Sequence, residues 1–156
     1  MTVALLLLAS TFLGLETAWA DSVIMNIHVG NALSTVAFDS ANGYTYVTNA
    51  DLGIVSVIDG STNTVIKNIC VGSHPRGIAF DSNNGNLYVA NEGSYTVSVI
   101  DGSTNTVIKN IRVGLQPTAV VFDSDSGNIY VANQYSHTVS VIDGSTNTVI
   151  DTISKS

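Results

Sequence analysis

From Ser22 onward the chain alternates short apolar runs with short polar turns. One stretch shows the pattern in full. Gly77-Ile78-Ala79-Phe80 is followed by the turn Asp81–Asn86, then by Leu87-Tyr88-Val89-Ala90. Thr96–Ile100 leads into a second turn, Asp101–Asn105, and Thr106-Val107-Ile108 continues to Val113. Runs of this length, rich in β-branched residues and bounded by Asp, Asn and Gly, predict strands of an antiparallel meander. No run is long enough for a helix, and none repeats every 3.6 residues. The third run is apolar on both faces, with Val97 and Val99 on one and Ile100 on the other. A strand with one wet face alternates, so this one is expected in a sheet covered on both sides.

The pattern is also copied. Val55–Ile66 reads VSVIDGSTNTVI, and the same twelve residues return at Val97–Ile108 and Val139–Ile150. Phe38-Asp39-Ser40 returns at Phe80 and Phe122. A four-strand meander repeated every 42 residues predicts an all-β chain of β-propeller blades. The expected bounds are about 35–71, 77–113 and 119–154 for the three blades. An extra N-terminal strand is expected at 22–29, where the sequence aligns with the fourth strand Thr64–Val71.

Tyr46-Val47-Thr48-Asn49 recurs as Tyr88-Val89-Ala90-Asn91 and Tyr130-Val131-Ala132-Asn133. A Val-Gly-x-x-Pro lead-in stands at Val71–Pro75 and Val113–Pro117, and each repeat carries V-x-V-I-D. Over residues 22–154 this resembles the YVTN β-propeller repeat family, without the Gly-His and Trp-Asp pairs of WD repeats. The resemblance implies an exported protein, similar to archaeal surface-layer and bacterial periplasmic propellers. It implies a ring that usually has seven blades, and it brings no shared set of catalytic residues.

Three blades fall short of the four or so that close a ring. The expectation is an open arc or partial propeller whose end blades expose apolar faces. Two outcomes follow: the chain is a fragment of a longer product, or it self-associates to complete the propeller, for example as a six-bladed dimer. The fragment is the preferred expectation on the base rate for closed symmetric assemblies, and Ile153-Ser154-Lys155-Ser156, stopping short of another Val-Gly-x-x-Pro, adds a little to it.

The first twenty residues read differently. Val3–Leu15 is apolar, too short to span a bilayer, and leads to Ala18-Trp19-Ala20. This predicts a signal peptide over 1–20 and a secreted, periplasmic or cell-surface protein, although no basic residue precedes the apolar run. No second such run follows, so no membrane span is expected. With five Lys or Arg against twelve Asp or Glu, the net charge is −7. No basic stripe can form, which disfavours nucleic acid as a partner. The lone Cys70 allows no intrachain disulfide. His28 and Arg112 take its place in the neighbouring repeats, which marks it as a drifted surface position.

Comparing the copies also locates candidate function. The Asp-Gly-Ser-Thr-Asn turn is invariant, whereas two loops differ from blade to blade. One leads into each blade (31–34, 73–76, 115–118). The other joins its second and third strands (50–53, 92–95, 134–137). In a meander both emerge on one rim, where diverse loops on a rigid scaffold suit recognition. The residues there best suited to binding are His74, Arg76, Tyr95, Gln116, Tyr135 and His137, since aromatic and Arg side chains dominate interfaces. Asp123-Ser124-Asp125-Ser126-Gly127 has a D-x-D-x-G spacing seen around Ca²⁺, but it lacks the distal Glu, and a plain Asp turn is the better reading of Asp123 and Asp125. The expected function is an extracytoplasmic, non-catalytic scaffold for protein or surface-glycan interaction, with no cofactor. A propeller lyase or lactonase, with His74 and His137 meeting on the rim, is the alternative enzyme reading. A purely structural cell-envelope role is the third.

Overall fold

A computed structural model describes residues 23–155. The predicted signal peptide lies outside the described residues. Twelve strands form three four-stranded antiparallel sheets, each a meander in sequence order. The first blade comprises β1 (Leu33–Asp39), β2 (Tyr44–Asn49), β3 (Ile54–Asp59) and β4 (Thr64–Cys70). The second comprises β5 (Pro75–Asp81), β6 (Asn86–Asn91), β7 (Thr96–Asp101) and β8 (Thr106–Arg112). The third comprises β9 (Pro117–Asp123), β10 (Asn128–Asn133), β11 (Thr138–Asp143) and β12 (Thr148–Ser154). The fold is the expected all-β arc of three propeller blades.

The blades begin about two residues earlier than expected. Pro75 and Pro117 open β5 and β9, the one strand position where a missing N–H costs no ladder bond. A register shift follows each first-strand start, so the innermost strand bends as it enters the blade. The extra strand expected at 22–29 is corrected by the structure. Val23–Gly30 has no strand conformation, and Val23, Ile24 and Met25 are exposed. A fourth strand is held by hydrogen bonds to a third strand of its own sheet, and the described residues hold none for this segment.

Blades pack face to face. Tyr46, Val55, Val57 and Ile69 of the first meet Ile78, Leu87, Val89 and Ile100 of the second. On the other side of the second blade, Tyr88, Val97, Val99 and Ile111 meet Ile129, Val131 and Ile142 of the third. Val97, Val99 and Ile100 are all 0% exposed, so the two-sided apolar strand is buried on both sides. Each fully buried aliphatic side chain of this kind contributes about 1.5–3 kcal/mol. The blades come closest at their inner edges. A Cβ on Gly77 would sit 2.9 Å from the Ala119 Cα, so glycine is what allows β5 and β9 this close approach.

A polar latch joins successive blades at one rim. The Tyr46 hydroxyl donates to Asn105 Oδ1 at 2.6 Å, and Asn42 Nδ2 donates to the Gly102 carbonyl at 3.0 Å. Tyr88 repeats this with Asn147 at 2.6 Å, and Asn84 with Gly144 at 2.9 Å. Lys67 and Lys109 add bonds to the Thr104 and Thr146 carbonyls. Burial raises the pKa of both tyrosines, which keeps these hydroxyls protonated as donors.

Candidate functional site

The two variable loops of each blade share a rim and are stitched together there. Glu92 N–H donates to the His74 carbonyl at 3.0 Å, and Gly93 N–H to that of Ser73 at 2.9 Å. In the third blade Gln134 N–H donates to the Gln116 carbonyl at 2.9 Å. These bonds hold a backbone that turns left-handed twice per blade. One site is Ala32, His74 and Gln116, with φ of 51°, 50° and 52°. The other is Gly53, Tyr95 and His137, with φ of 64°, 58° and 54°. Left-handed backbone costs a non-glycine residue about 1 kcal/mol. Four of the six candidate residues therefore sit in strained conformations, and cross-loop bonds hold two of them, His74 and Gln116.

Those loops enclose a cleft of about 240 Å³ at the junction of the second and third blades. It is lined by His74, Arg76, Glu92, Gly93, Tyr95 and Gln116. Four candidates from three separate loops are thus brought together. Tyr135 and His137 are not among them. Tyr135 is 67% exposed, and His137 lines a separate depression of about 400 Å³ with Thr118, Gln134 and Lys155. His74 and His137 consequently do not share a site.

Sequence comparison missed Glu92. Its Oε2 accepts from Arg76 Nε at 2.6 Å, a charge-assisted bond across the two loops. The signal was available as opposite charges on loops that share a rim. With Arg76 46% and Glu92 24% exposed, the pair positions the guanidinium more than it stabilises the fold. His74 Nδ1 lies 2.9 Å from Ser73 Oγ, and the Ser73 N–H donates to Ser94 Oγ at 3.1 Å. The cleft therefore presents an imidazole, a phenol, a primary amide and a guanidinium with remaining donors. Such a set offers donors that hydrogen-bond hydroxyl or carboxylate groups.

The Asp123 turn is self-contained. Its Oδ1 accepts from the Asp125 N–H at 3.0 Å and its Oδ2 from the Ser126 hydroxyl at 2.7 Å. These bonds, the Ser126 hydroxyl first, lower the Asp123 pKa. Among the described residues, no three His, Cys, Asp or Glu side chains are grouped to hold a metal ion. No helix there is long and apolar enough to cross a membrane.

No family model and no curated protein matches the chain. Its structure is similar to that of hydrazine synthase from Kuenenia stuttgartiensis, with a TM-score of 0.72 and 27% sequence identity. The likeness covers 86% of this chain and 40% of that one, so the chain spans less than half the length of this neighbour. The chain has a β-propeller fold. In all, 927 solved chains match it, and an architecture shared so widely names no single activity.

Proposed function

We propose that this chain is an exported propeller scaffold of the YVTN type that binds a protein or surface glycan, without catalysis, through the cleft between its second and third blades. The observation that carries the reading is the convergence of His74, Arg76, Tyr95 and Gln116 on one cleft. Three of these four have left-handed backbone, and the carbonyls of two, His74 and Gln116, accept bonds from the neighbouring variable loop. Strain of this kind persists where the surrounding structure enforces it and is concentrated at functional sites. The cleft has the composition of a recognition surface, with Tyr and Arg as anchors. Glu92, the carboxylate lining the cleft, is engaged by Arg76, and His74 is paired with a serine hydroxyl in an exposed loop. Among the described residues no carboxylate hydrogen-bonds His74 to orient it as a base towards the Ser73 hydroxyl, which favours binding over a lyase or lactonase reaction.

The test is binding to a panel of envelope polysaccharides and to peptides from surface proteins. The wild-type chain is expected to retain one class. Arg76→Ala with Tyr95→Ala is expected to lose it while circular dichroism stays the same. Retention of binding by the double variant overturns the assignment to this cleft. Turnover of a retained compound, lost in His74→Ala, establishes the enzyme reading in its place.

A further inference from the structure

The end blades carry the two halves of a contact that the molecule already makes twice. Val36 on the outward face of the first blade takes the place of Ile78; Val36 is 63% exposed and Ile78 5%. Phe38, which takes the place of the packed Phe80, is 58% exposed. On the opposite end, Ile153 takes the place of Ile69 and Ile111; it is 49% exposed and they are 5% each. Val121, on β9 at the inner edge of the same sheet, is 58% exposed. Val47 and Ile58, at the centre of the first blade's face, are themselves buried, so the exposed apolar surface lies along its inner edge.

The latch of the first blade is built as well. Its turn Asp59–Asn63 repeats Asp101–Asn105 residue for residue, and Asn63 holds φ 54°, the same as Asn105. The Ser61 N–H donates to Asp59 Oδ1 at 2.8 Å, as Ser103 does to Asp101. The Gly60 carbonyl, Thr62 carbonyl and Asn63 side chain are thus preset as acceptors. The third blade supplies the matching donors only in part. Tyr130 is retained, Ser126 stands where Asn42 and Asn84 donate, and Asp151 stands where Lys67 and Lys109 donate.

From these two half-interfaces we infer that the chain pairs head to tail with a second copy of itself. The third-blade face of each copy covers the first-blade face of the other, giving a ring of six blades. The occupant is argued from the internal interfaces. Both show what this kind of face accepts, and among the described residues each side occurs once more with apolar side chains exposed at its edges. Six blades fall within the four to eight that close a propeller. The incomplete donor set makes the contact weaker than the internal ones and therefore reversible. Of the three donors only Tyr130 remains, and the Asp151 carboxylate faces a carbonyl where a lysine belongs.

Sedimentation of the chain, expressed in full, over a range of concentrations tests this. The expected result is a monomer–dimer equilibrium. Ser126→Asn with Asp151→Lys restores both missing donors and is expected to tighten the dimer by about tenfold or more. Tyr130→Phe is expected to weaken it. Phe38→Asp is expected to give monomer with unchanged circular dichroism, while Leu52→Asp, on an equally exposed residue of the variable rim, leaves the equilibrium where it was. A chain that stays monomeric even with the donors restored overturns the inference. So does a dimer indifferent to Phe38 and Tyr130, or open filaments in place of a closed pair.

Discussion

The two rims of this arc use one backbone device with opposite choices of residue. On the invariant rim the left-handed position of the turn between third and fourth strands is always asparagine, with Asn63, Asn105 and Asn147 at φ 54°, 54° and 55°, and that between first and second strands is always glycine. Asparagine tolerates that conformation, and its side chain accepts the tyrosine hydroxyl of the preceding blade. Where that rim joins two blades its residues serve packing, so a change of residue there costs stability at once. On the variable rim the same conformation is filled by Ala, His and Gln at one position and by Gly, Tyr and His at the other. There the backbone is held by main-chain bonds between loops, which leave the side chain free of any packing duty. Freedom of that kind is what allows a rim to acquire recognition without weakening the fold.

The contrast is most easily broken from the packing side. Replacing Tyr88 by Ala empties a fully buried site and removes the bond to Asn147. A loss of about 3–5 kcal/mol is expected in urea unfolding. Tyr130→Ala, at the half-buried matching position of the third blade, is expected to cost markedly less. Next in size is a pair of glycine substitutions at left-handed positions. Asn105→Gly keeps the conformation but deprives Tyr46 of its acceptor, an expected loss of about 1–2 kcal/mol. Tyr95→Gly relieves strain and is expected to be neutral or to gain up to about 1 kcal/mol. Equal losses at both positions would mean that the variable rim serves packing no less than the invariant one.

Acid titration divides the invariant rim further. Side-chain bonds from Ser61, Ser103 and Ser145, followed by backbone N–H groups, hold Asp59, Asp101 and Asp143 below the usual carboxylate range. Their stabilisation is present above the unfolded carboxylate value and is lost as pH falls through the lowered ones. Asp81 runs the other way, because burial raises its pKa. Its contribution is present below the unfolded value and is lost as pH rises through the raised one. At neutral pH this carboxylate is therefore a net cost. Asp81→Asn keeps an acceptor for the Asn83 N–H and is expected to gain stability near neutral pH and none in acid, measured as melting temperature against pH. The smallest effect belongs to Arg76→Ala, whose exposed ion pair is expected to be worth under about 1 kcal/mol in the same melts.

The strands, turns and blade repeat were legible because short-range chemistry decides them. Asp-Gly-Ser-Thr-Asn makes the same turn in all three copies, and alternating β-branched residues make the same strands. The twelve-residue identity located the repeat, and Val97, Val99 and Ile100 announced a sheet covered on both sides. Pro75 and Pro117 look like loop residues in the sequence because a proline has no N–H to donate, yet the first residue of a strand does not need one. Residues 22–29 misled for a related reason. They carry the sequence of a fourth strand, but a strand exists only when a neighbour supplies its hydrogen bonds.

The site divides along the same line. Sequence alone determined which loops vary and that they share a rim, since a meander sends alternate connections to opposite ends. Only the tertiary structure decided that His74, Arg76, Tyr95 and Gln116 line one cleft while Tyr135 and His137 do not. That outcome depends on how far one blade is rotated against the next, a quantity set by packing at Gly77 and the latch tyrosines. The Arg76–Glu92 pair likewise required two loops sixteen residues apart to fold back on each other. Local patterns are set by residues a few positions apart, whereas a site is set by faces that meet, and the repeat sequence is nearly the same on every face.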